Sequence, residues 1–550
     1  MATWADIQSW DHNAIIEAED LIEAEVREAR EIIADLEHAA NDIRSQGEAP
    51  DRMRERLTEI QDKLDSRLNE LTEYALATAE LHGYVSRVVA IRESAYEVAA
   101  ELKETIPESG YVMTPPMELS NNPDRYEKYQ DLHACIKSAV DLATEAETTV
   151  GPRYRALADG QYALSEGRHS ESAGLANDAD PSWTPEEVSV WWKLLSDSER
   201  EALINKDPEK YGNLDGIDMA SRAKANELVL LGPKDASGQH VPGAGLLGQA
   251  ERDLAEAEAA MVGATSNLAA LDLKRKQAQN RVDDLRALRD QMNVDGVTLV
   301  SLQPGKPGEN VLAALAIGDV DNAEHVATMV PGMTTNCRDS AALNLGYAYN
   351  LREAAVRAGA DKNNVATIAW LGYDAPPALP DLSVASTAQA EAGADPLRKF
   401  ATGIHSWRSE RGMDVHQSII PHSYGSTTAG IAMRSIGKDV VDDFAYTGSP
   451  GAGVASVGTL GVDKDHVWVS AVPHHDAVQG IGTDGNFGLD PKTLKGIGHL
   501  SGDASGAKDY STYSLNPVAN HSSYFVAPEP GKQNHALNDL GKVIADAKER

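Results

Sequence analysis

Cysteine, aromatic side chains and basic charge are all scarce in this sequence. Only two cysteines occur in 550 residues, Cys135 and Cys337. Two thiols so far apart cannot build a cysteine metal cage, and they read as ordinary free thiols. Aromatics make up 5% of the chain, with only 4 Phe, which leaves few platforms for stacking bases. Lys and Arg number 50 against 85 Asp and Glu, a net charge of −35. A surface of that sign repels phosphate and argues against bulk nucleic-acid or anionic-membrane binding. No uncharged apolar run of about 18 residues occurs, so no transmembrane helix is expected. The N-terminal stretch MATWADIQSWDHNAIIEAEDLIEAE lacks the basic, apolar and small-residue regions of a secretory signal. A cytoplasmic location is expected, or export by a route that reads no such signal.

What the chain does hold is 42% hydrophobic residues, enough for folded cores, and a length that calls for more than one. Ile22, Val26, Ala29, Ile33, Leu36, Ala40 and Ile43 recur in steps of three and four, the stripe of an amphipathic helix. Gly47 and Pro50 break it, Asp51 is placed to cap the next helix, and a second stripe follows at Leu57, Ile60, Leu64, Leu68, Leu71 and Ala75. A short break between two such helices predicts an antiparallel hairpin. Further helical stretches are expected over 85–102 and 126–148, with a Pro- and Asn-rich loop between them. Residues 1–165 therefore read as an all-α domain. The small, polar segment 166–182 reads as a linker, and 183–550 as a second domain. That domain opens with short helices anchored by Trp191 and Trp192 and a longer polar helix over about 248–292.

From residue 294 the period changes. Short apolar runs at 297–302, 311–318, 325–331, 364–372, 417–423, 442–448 and 466–472 alternate with helical stretches, notably 340–358 and 427–436. Near-continuous apolar strands between helices predict an α/β fold whose mostly parallel sheet is covered on both faces. No fixed-period repeat is present.

The sharpest motif is QSIIPHSYGSTTAGIAM, an apolar strand running through Pro421-His422-Ser423-Tyr424-Gly425 into a helix of small residues. Strand, tight turn and helix with Ser at the apex is the setting of a nucleophile elbow. Gly425 at +2 lets helix approach strand, whereas Pro421 stands at −2 where Gly is usual. The plainer role for Ser423 is to cap the helix. A nucleophilic serine needs a base and an acid, and in this setting they follow in the order acid, then His. Asp476 follows the next strand-like segment that carries an acid at its carboxyl end, with Asp484 and Asp490 as alternatives. Asp442 and Asp443 precede their strand, at the wrong edge. His521, on a loop after a turn, is the favoured base over His499 and His535. His474 and His475 are expected to line the acid's loop, and His422 to point away from the serine. Oxyanion donors are expected from the Tyr424 N–H and from the loop after 325–331, at Met333 or Thr334. No nucleotide-binding glycine motif and no metal-ligand spacing stands out, so neither cofactor nor metal is expected.

The segments beginning WTPEEVSVWW, and then AIGDVDNAEHVATMVPGM, VATIAWLGYDAP, HSYGSTTAG and TGSPGAG, resemble in this order an actinobacterial α/β-hydrolase family of largely uncharacterised function. The resemblance covers about residues 183–530. It implies an α/β-hydrolase fold with Ser423 as nucleophile and Asp476 and His521 as its partners; the elbow departs from the family pattern at Pro421. The helical region resembles helical-hairpin substrates of type VII secretion, although no W-x-G stands in the turn. Tyr162 and Glu166 meet the short Y-x-x-x-[DE] export pattern, so residues 1–165 are read as a contact for secretion machinery or a helical partner. The expected activity is hydrolysis of carboxylic esters, lipid-like ones included, through an acyl-enzyme. An amidase or peptidase with the same triad, and a non-catalytic type VII-associated interaction protein, are the alternatives.

Overall fold

Helix gives way to strand at residue 297. The computed structural model describes residues 2–115, 122–160, 178–306, 308–377, 387–481 and 487–547. Every helix or strand element before Val297 is helical among the described residues. After a short turn at Trp4–Ile7 come α1 (His12–Asp42), α2 (Glu48–Leu102) and α3 (Pro123–Ala158). α1 and α2 run antiparallel, linked by Gln61 to Glu37 at 3.0 Å and by His82 to Glu19 at 2.9 Å. The second stripe and the stretch 85–102 form one helix of 55 residues rather than two. No proline interrupts it beyond the first turn, and its central Gly83 is held by packing: a Cβ there would lie 2.7 Å from Glu186. Asp51 is not the cap. Gly47 holds that position, and Pro50 and Asp51 lie in the first turn, where backbone N–H groups lack helical partners and proline does no harm.

Helices α4 (Pro185–Leu194), α5 (Asp197–Lys206) and α6 (Met219–Leu231) follow, the first two begun by capping boxes at Thr184/Glu187 and Ser196/Glu199. The expected polar helix over 248–292 is instead a pair, α7 (Leu246–Met261) and α8 (Leu268–Met292), separated at Gly263, whose φ of 76° no helix accepts. Trp191 and Trp192 are fully buried with Tyr211 among Val26, Leu68 and Leu76, so α4 shares a core with the α1–α2 hairpin. Arg153 of α3 reinforces this by pairing with Glu187 at 2.7 Å and with Glu80. Residues 161–177, most of the expected linker and all of the Tyr162–Glu166 pattern, lie outside the described residues. The end of that segment is docked: Asp178 accepts from Lys210 at 2.6 Å, from Lys206 at 3.0 Å and from Tyr211.

Among the described residues eight strands form one sheet in the order β1-β2-β4-β3-β5-β6-β7-β8: β1 (Val297–Gln303), β2 (Leu312–Ile317), β3 (His325–Val330), β4 (Val365–Leu371), β5 (His416–Pro421), β6 (Asp443–Thr447), β7 (Val467–Ser470) and β8 (Gly498–His499). Only β2 runs against its neighbours. The seven predicted runs are β1–β7. On one face lie α10 (Ala388–Glu410), which no sequence pattern had suggested, and α11 (Gly425–Met433). They pack Leu397, Phe400, Ala429 and Met433 against Val326, Ile368, Ile419 and Phe444. On the other face α9 (Cys337–Arg357) and α12 (His535–Ile544) bring Leu351, Ala355 and Leu540 onto Met329, Ile420 and Ala445. No helix among the described residues is long and apolar enough to cross a membrane.

Because Trp191 joins two segments far apart in sequence, Trp191→Ala should cost about 3–5 kcal/mol in urea unfolding. A loss below about 1 kcal/mol would contradict the shared core.

Candidate active site

β5 ends in a turn that almost no L-residue adopts freely. Ser423 has φ 56°, its N–H donates to the Thr447 carbonyl at 3.0 Å, and the N–H of His422 donates to Val330 at 2.9 Å. The amides of Gly425 and Ser426 then bond back to the carbonyls of His422 and Ser423, and α11 begins. Two glycines make the geometry sterically open. A Cβ on Gly425 would lie 2.4 Å from the Val330 carbonyl oxygen, and one on Gly332 only 2.4 Å from the Ser423 Cβ. Pro421 is accommodated because it ends the strand, opposite Val330, while its carbonyl still accepts from Thr447 Oγ1 at 2.8 Å. Ser423 is 3% exposed.

Asp476 and His521 meet. The Nδ1 of His521 lies 2.7 Å from Asp476 Oδ1. The other carboxylate oxygen accepts from Tyr524 Oη at 2.7 Å and Gln479 Nε2 at 2.8 Å. Burial disfavours the charge on Asp476, but the bonds from His521, Tyr524 and Gln479 outweigh it and hold the carboxyl below its ordinary range. The His521 ring packs against Gly448, where a Cβ would be 3.1 Å from Cε1, next to the Thr447 carbonyl that holds Ser423. Its Nε2, the nitrogen a general base would use, is buried and makes no hydrogen bond to a described residue. The Asp476–His521 pair is thus formed, while the Ser423–His521 hydrogen bond is not.

His422 reaches the site through His521. Residues of alternate parity share a strand face, so His422 lies with Ile420 on the α9/α12 side, where the His521 loop passes. Its ring sits 4.5 Å from the His521 ring, and its Nε2–H donates to the His521 carbonyl at 2.7 Å. Burial, with the nearby His521, pushes its pKa down to about 3, so it is a neutral support. Asn520 is a second support that sequence reasoning missed. Fully buried, it donates to the carbonyls of His474 and Ser511 at 2.9 Å each and accepts from the Ser511 N–H, joining the loop of His521 to that of Asp476. Only its place beside His521 could have marked it.

The oxyanion expectation needs one correction. Thr334 cannot donate, because at φ 64° its N–H is turned onto the Pro376 carbonyl at 2.8 Å. The N–H of Met333 makes no backbone hydrogen bond among the described residues. Tyr424 holds the N-cap position of α11, and its phenol oxygen accepts from Ala390 at 3.3 Å. The alternative partners lie elsewhere: Asp490 caps a short turn, His499 is in β8 and His535 opens α12. Asp484 lies outside the described residues. His475 bonds the Thr512 carbonyl at 3.1 Å and His474 is exposed, so both line the loop of Asp476.

A family model described as alpha/beta hydrolase matches residues 306–483, a stretch that holds Ser423 and Asp476 and stops short of His521. The uncharacterized protein Rv0963c of Mycobacterium tuberculosis is 35% identical over 231 residues, 40% of this chain and 84% of that protein. The chain belongs to the alpha/beta hydrolase family. The uncharacterized protein Rv2079 of M. tuberculosis is 31% identical over 303 residues, 52% of this chain and 42% of that protein, so the chain spans less than half the length of this relative. Among solved structures, LpqC, a poly(3-hydroxybutyrate) depolymerase from Bordetella parapertussis, covers 48% of this chain and 80% of its own at 13% identity, but with a TM-score of 0.22 the likeness carries no argument.

Two outcomes follow for this hydrolase-family chain. Gly332→Ala should force the 332 loop off Ser423 and lower the melting temperature by several degrees, roughly the effect of 1–3 kcal/mol of overpacking; an unchanged melting curve would contradict the close approach. A carboxyl held below its unfolded value, about 3.9, adds stability that is present at neutral pH and lost as pH falls from about 5 through the folded pKa. Asp476→Asn should therefore flatten the fall in stability below about pH 5, as read by denaturant unfolding. An identical pH slope in both proteins would refute the stabilised carboxylate.

Proposed function

We propose that the chain is a serine hydrolase of carboxylic esters, with Ser423 as nucleophile, His521 as general base and acid, and Asp476 as its orienting carboxylate. The observation that carries this reading is the Asp476–His521 pair beside a serine held at φ 56° on a strand–helix turn. His521 Nε2 would take the Ser423 proton as Oγ attacks the ester carbonyl, then return it to the leaving alcohol. Water, activated by the same nitrogen, would release the acid from the acyl-enzyme. The N–H groups of Tyr424 and Met333 are proposed as donors to the oxyanion, and Asp476 keeps the Nδ1–H tautomer and steadies the imidazolium. His422 and Asn520 act through His521 and are positioning residues.

Ester chemistry is favoured over amide because an alkoxide is a better leaving group than an amide anion and asks less of the acid step. Lipid-like esters belong to the proposed substrate class. Residues 1–165 are proposed as the region through which a helical partner or secretion machinery would be met.

The full chain should hydrolyse short-chain p-nitrophenyl esters, with kcat/KM falling on the order of 10⁴-fold or more in Ser423→Ala and His521→Ala. Amide analogues should turn over far more slowly. An ester rate unchanged by Ser423→Ala, or no rate above buffer in the unaltered chain, would overturn the proposal; amide turnover matching ester would move it to the amidase class.

A further inference from the structure

The edge of the sheet opposite Ser423 gathers a second set of chemistry-bearing side chains. His416 opens β5 and Asp443 opens β6, and their Nε2 and Oδ2 atoms stand 3.1 Å apart. Asp546, just past α12, brings a carboxylate to the same point: one donor atom from each residue lies within 4.8 Å of the other two. At that separation a His and an Asp normally share a hydrogen bond. Here the contact lacks hydrogen-bond geometry, and His416 Nε2, although buried, bonds no described residue.

The other oxygen of Asp443 is fixed from behind. Trp468 Nε1 donates to Oδ1 at 2.7 Å and His466 Nδ1 lies 3.1 Å from it. Partners on the far oxygen orient a ligating carboxylate in the way outer-shell groups do around metals. Asp443 is fully buried, and a carboxylate there is kept only with compensating partners.

We propose that His416, Asp443 and Asp546 form a binding site for a zinc-type divalent cation. One imidazole and two carboxylates suit a first-row transition ion such as Zn2+, since Ca2+ and Mg2+ favour all-oxygen shells. Three protein ligands leave a fourth position for water on the side of a cavity of about 560 Å3, which His416, His466 and Asp546 line together with the Glu93–Lys438 and Glu97–Lys464 ion pairs. The rise of β5 puts this point roughly 20 Å from Ser423, so the ion takes no part at the serine. Its effect is to tie the end of α12 to the starts of β5 and β6. The spread of the ligands over positions 416, 443 and 546 explains why sequence spacing gives no metal signal.

The test is titration of chelator-treated full-length protein with Zn2+ by calorimetry and with Co2+ by visible absorption. One equivalent should bind, with ligand-field bands for Co2+ and a melting temperature raised by Zn2+. His416→Ala and Asp546→Asn should each weaken binding on the order of 100-fold and abolish the melting shift, His466→Gln should weaken it roughly 10-fold, and Ser423→Ala should bind like the unaltered chain. Asp546 is exposed, so Asp546→Asn removes a ligand without disturbing the core. No saturable one-to-one binding by the unaltered chain, or unchanged binding in both His416→Ala and Asp546→Asn, would overturn the site. Ester hydrolysis is not a readout here, so this result stands apart from that of the serine proposal.

Discussion

The left-handed turn at Ser423 is the constraint on which the candidate site depends. Holding a non-glycine residue at φ 56° costs on the order of 1–3 kcal/mol, and it persists only where the surroundings leave no alternative. Those surroundings are supplied by both strand neighbours. β3 gives the Val330 carbonyl and the Gly332 bend, and β6 gives the Thr447 carbonyl. Gly425 then lets α11 start directly beneath the loop after β3. The sheet order matters because it puts β3 and β6 on either side of β5, so that both clamps come from strand ends. The same strand ends carry the approach of His521, whose ring rests on Gly448.

Much of this was legible in the sequence, and the reasons differ by element. The strands of the second half are short apolar runs buried on both faces, so pattern alone located seven of them; β8 has two residues and offers no pattern. The elbow could be read because its steric demands fall on adjacent residues, with small Gly425 two places after Ser423. Asp476 and His521 were legible only as a chain-order expectation. Their contact depends on Tyr524, Gln479 and Asn520, whose roles arise from three-dimensional proximity and leave no periodic trace. Thr334 shows the same limit from the other side. A residue in the right loop carries no sign that its N–H is turned onto Pro376. The helix breaks were misjudged where local chemistry is ambiguous, since Pro50 can end one helix or sit harmlessly in the first turn of the next.

The acidic excess also acquires a structural role. Helical side chains of the first region meet basic ones of the sheet region: Glu93 with Lys438 at 2.9 Å and Glu97 with Lys464 at 3.2 Å. These exposed pairs contribute little individually. The buried joint is Asp131, which accepts from Arg434 at 2.6 Å and from the Ala455 N–H at 2.8 Å. Arg434 directly follows α11, so the helical region is fastened to the helix that begins at the serine elbow. The negative charge therefore describes solvated helix faces and an internal seam, and Asp476 lies apart from both.

The central claim is that Ser423 is a nucleophile activated by His521 and Asp476. Its most direct measurement is covalent labelling of the full chain with a fluorophosphonate, followed by intact-mass determination and peptide mapping of the adduct. One adduct per chain is predicted, located on Ser423, absent in Ser423→Ala and formed far more slowly in His521→Ala. An unlabelled chain, or an adduct that survives Ser423→Ala in full, would contradict it.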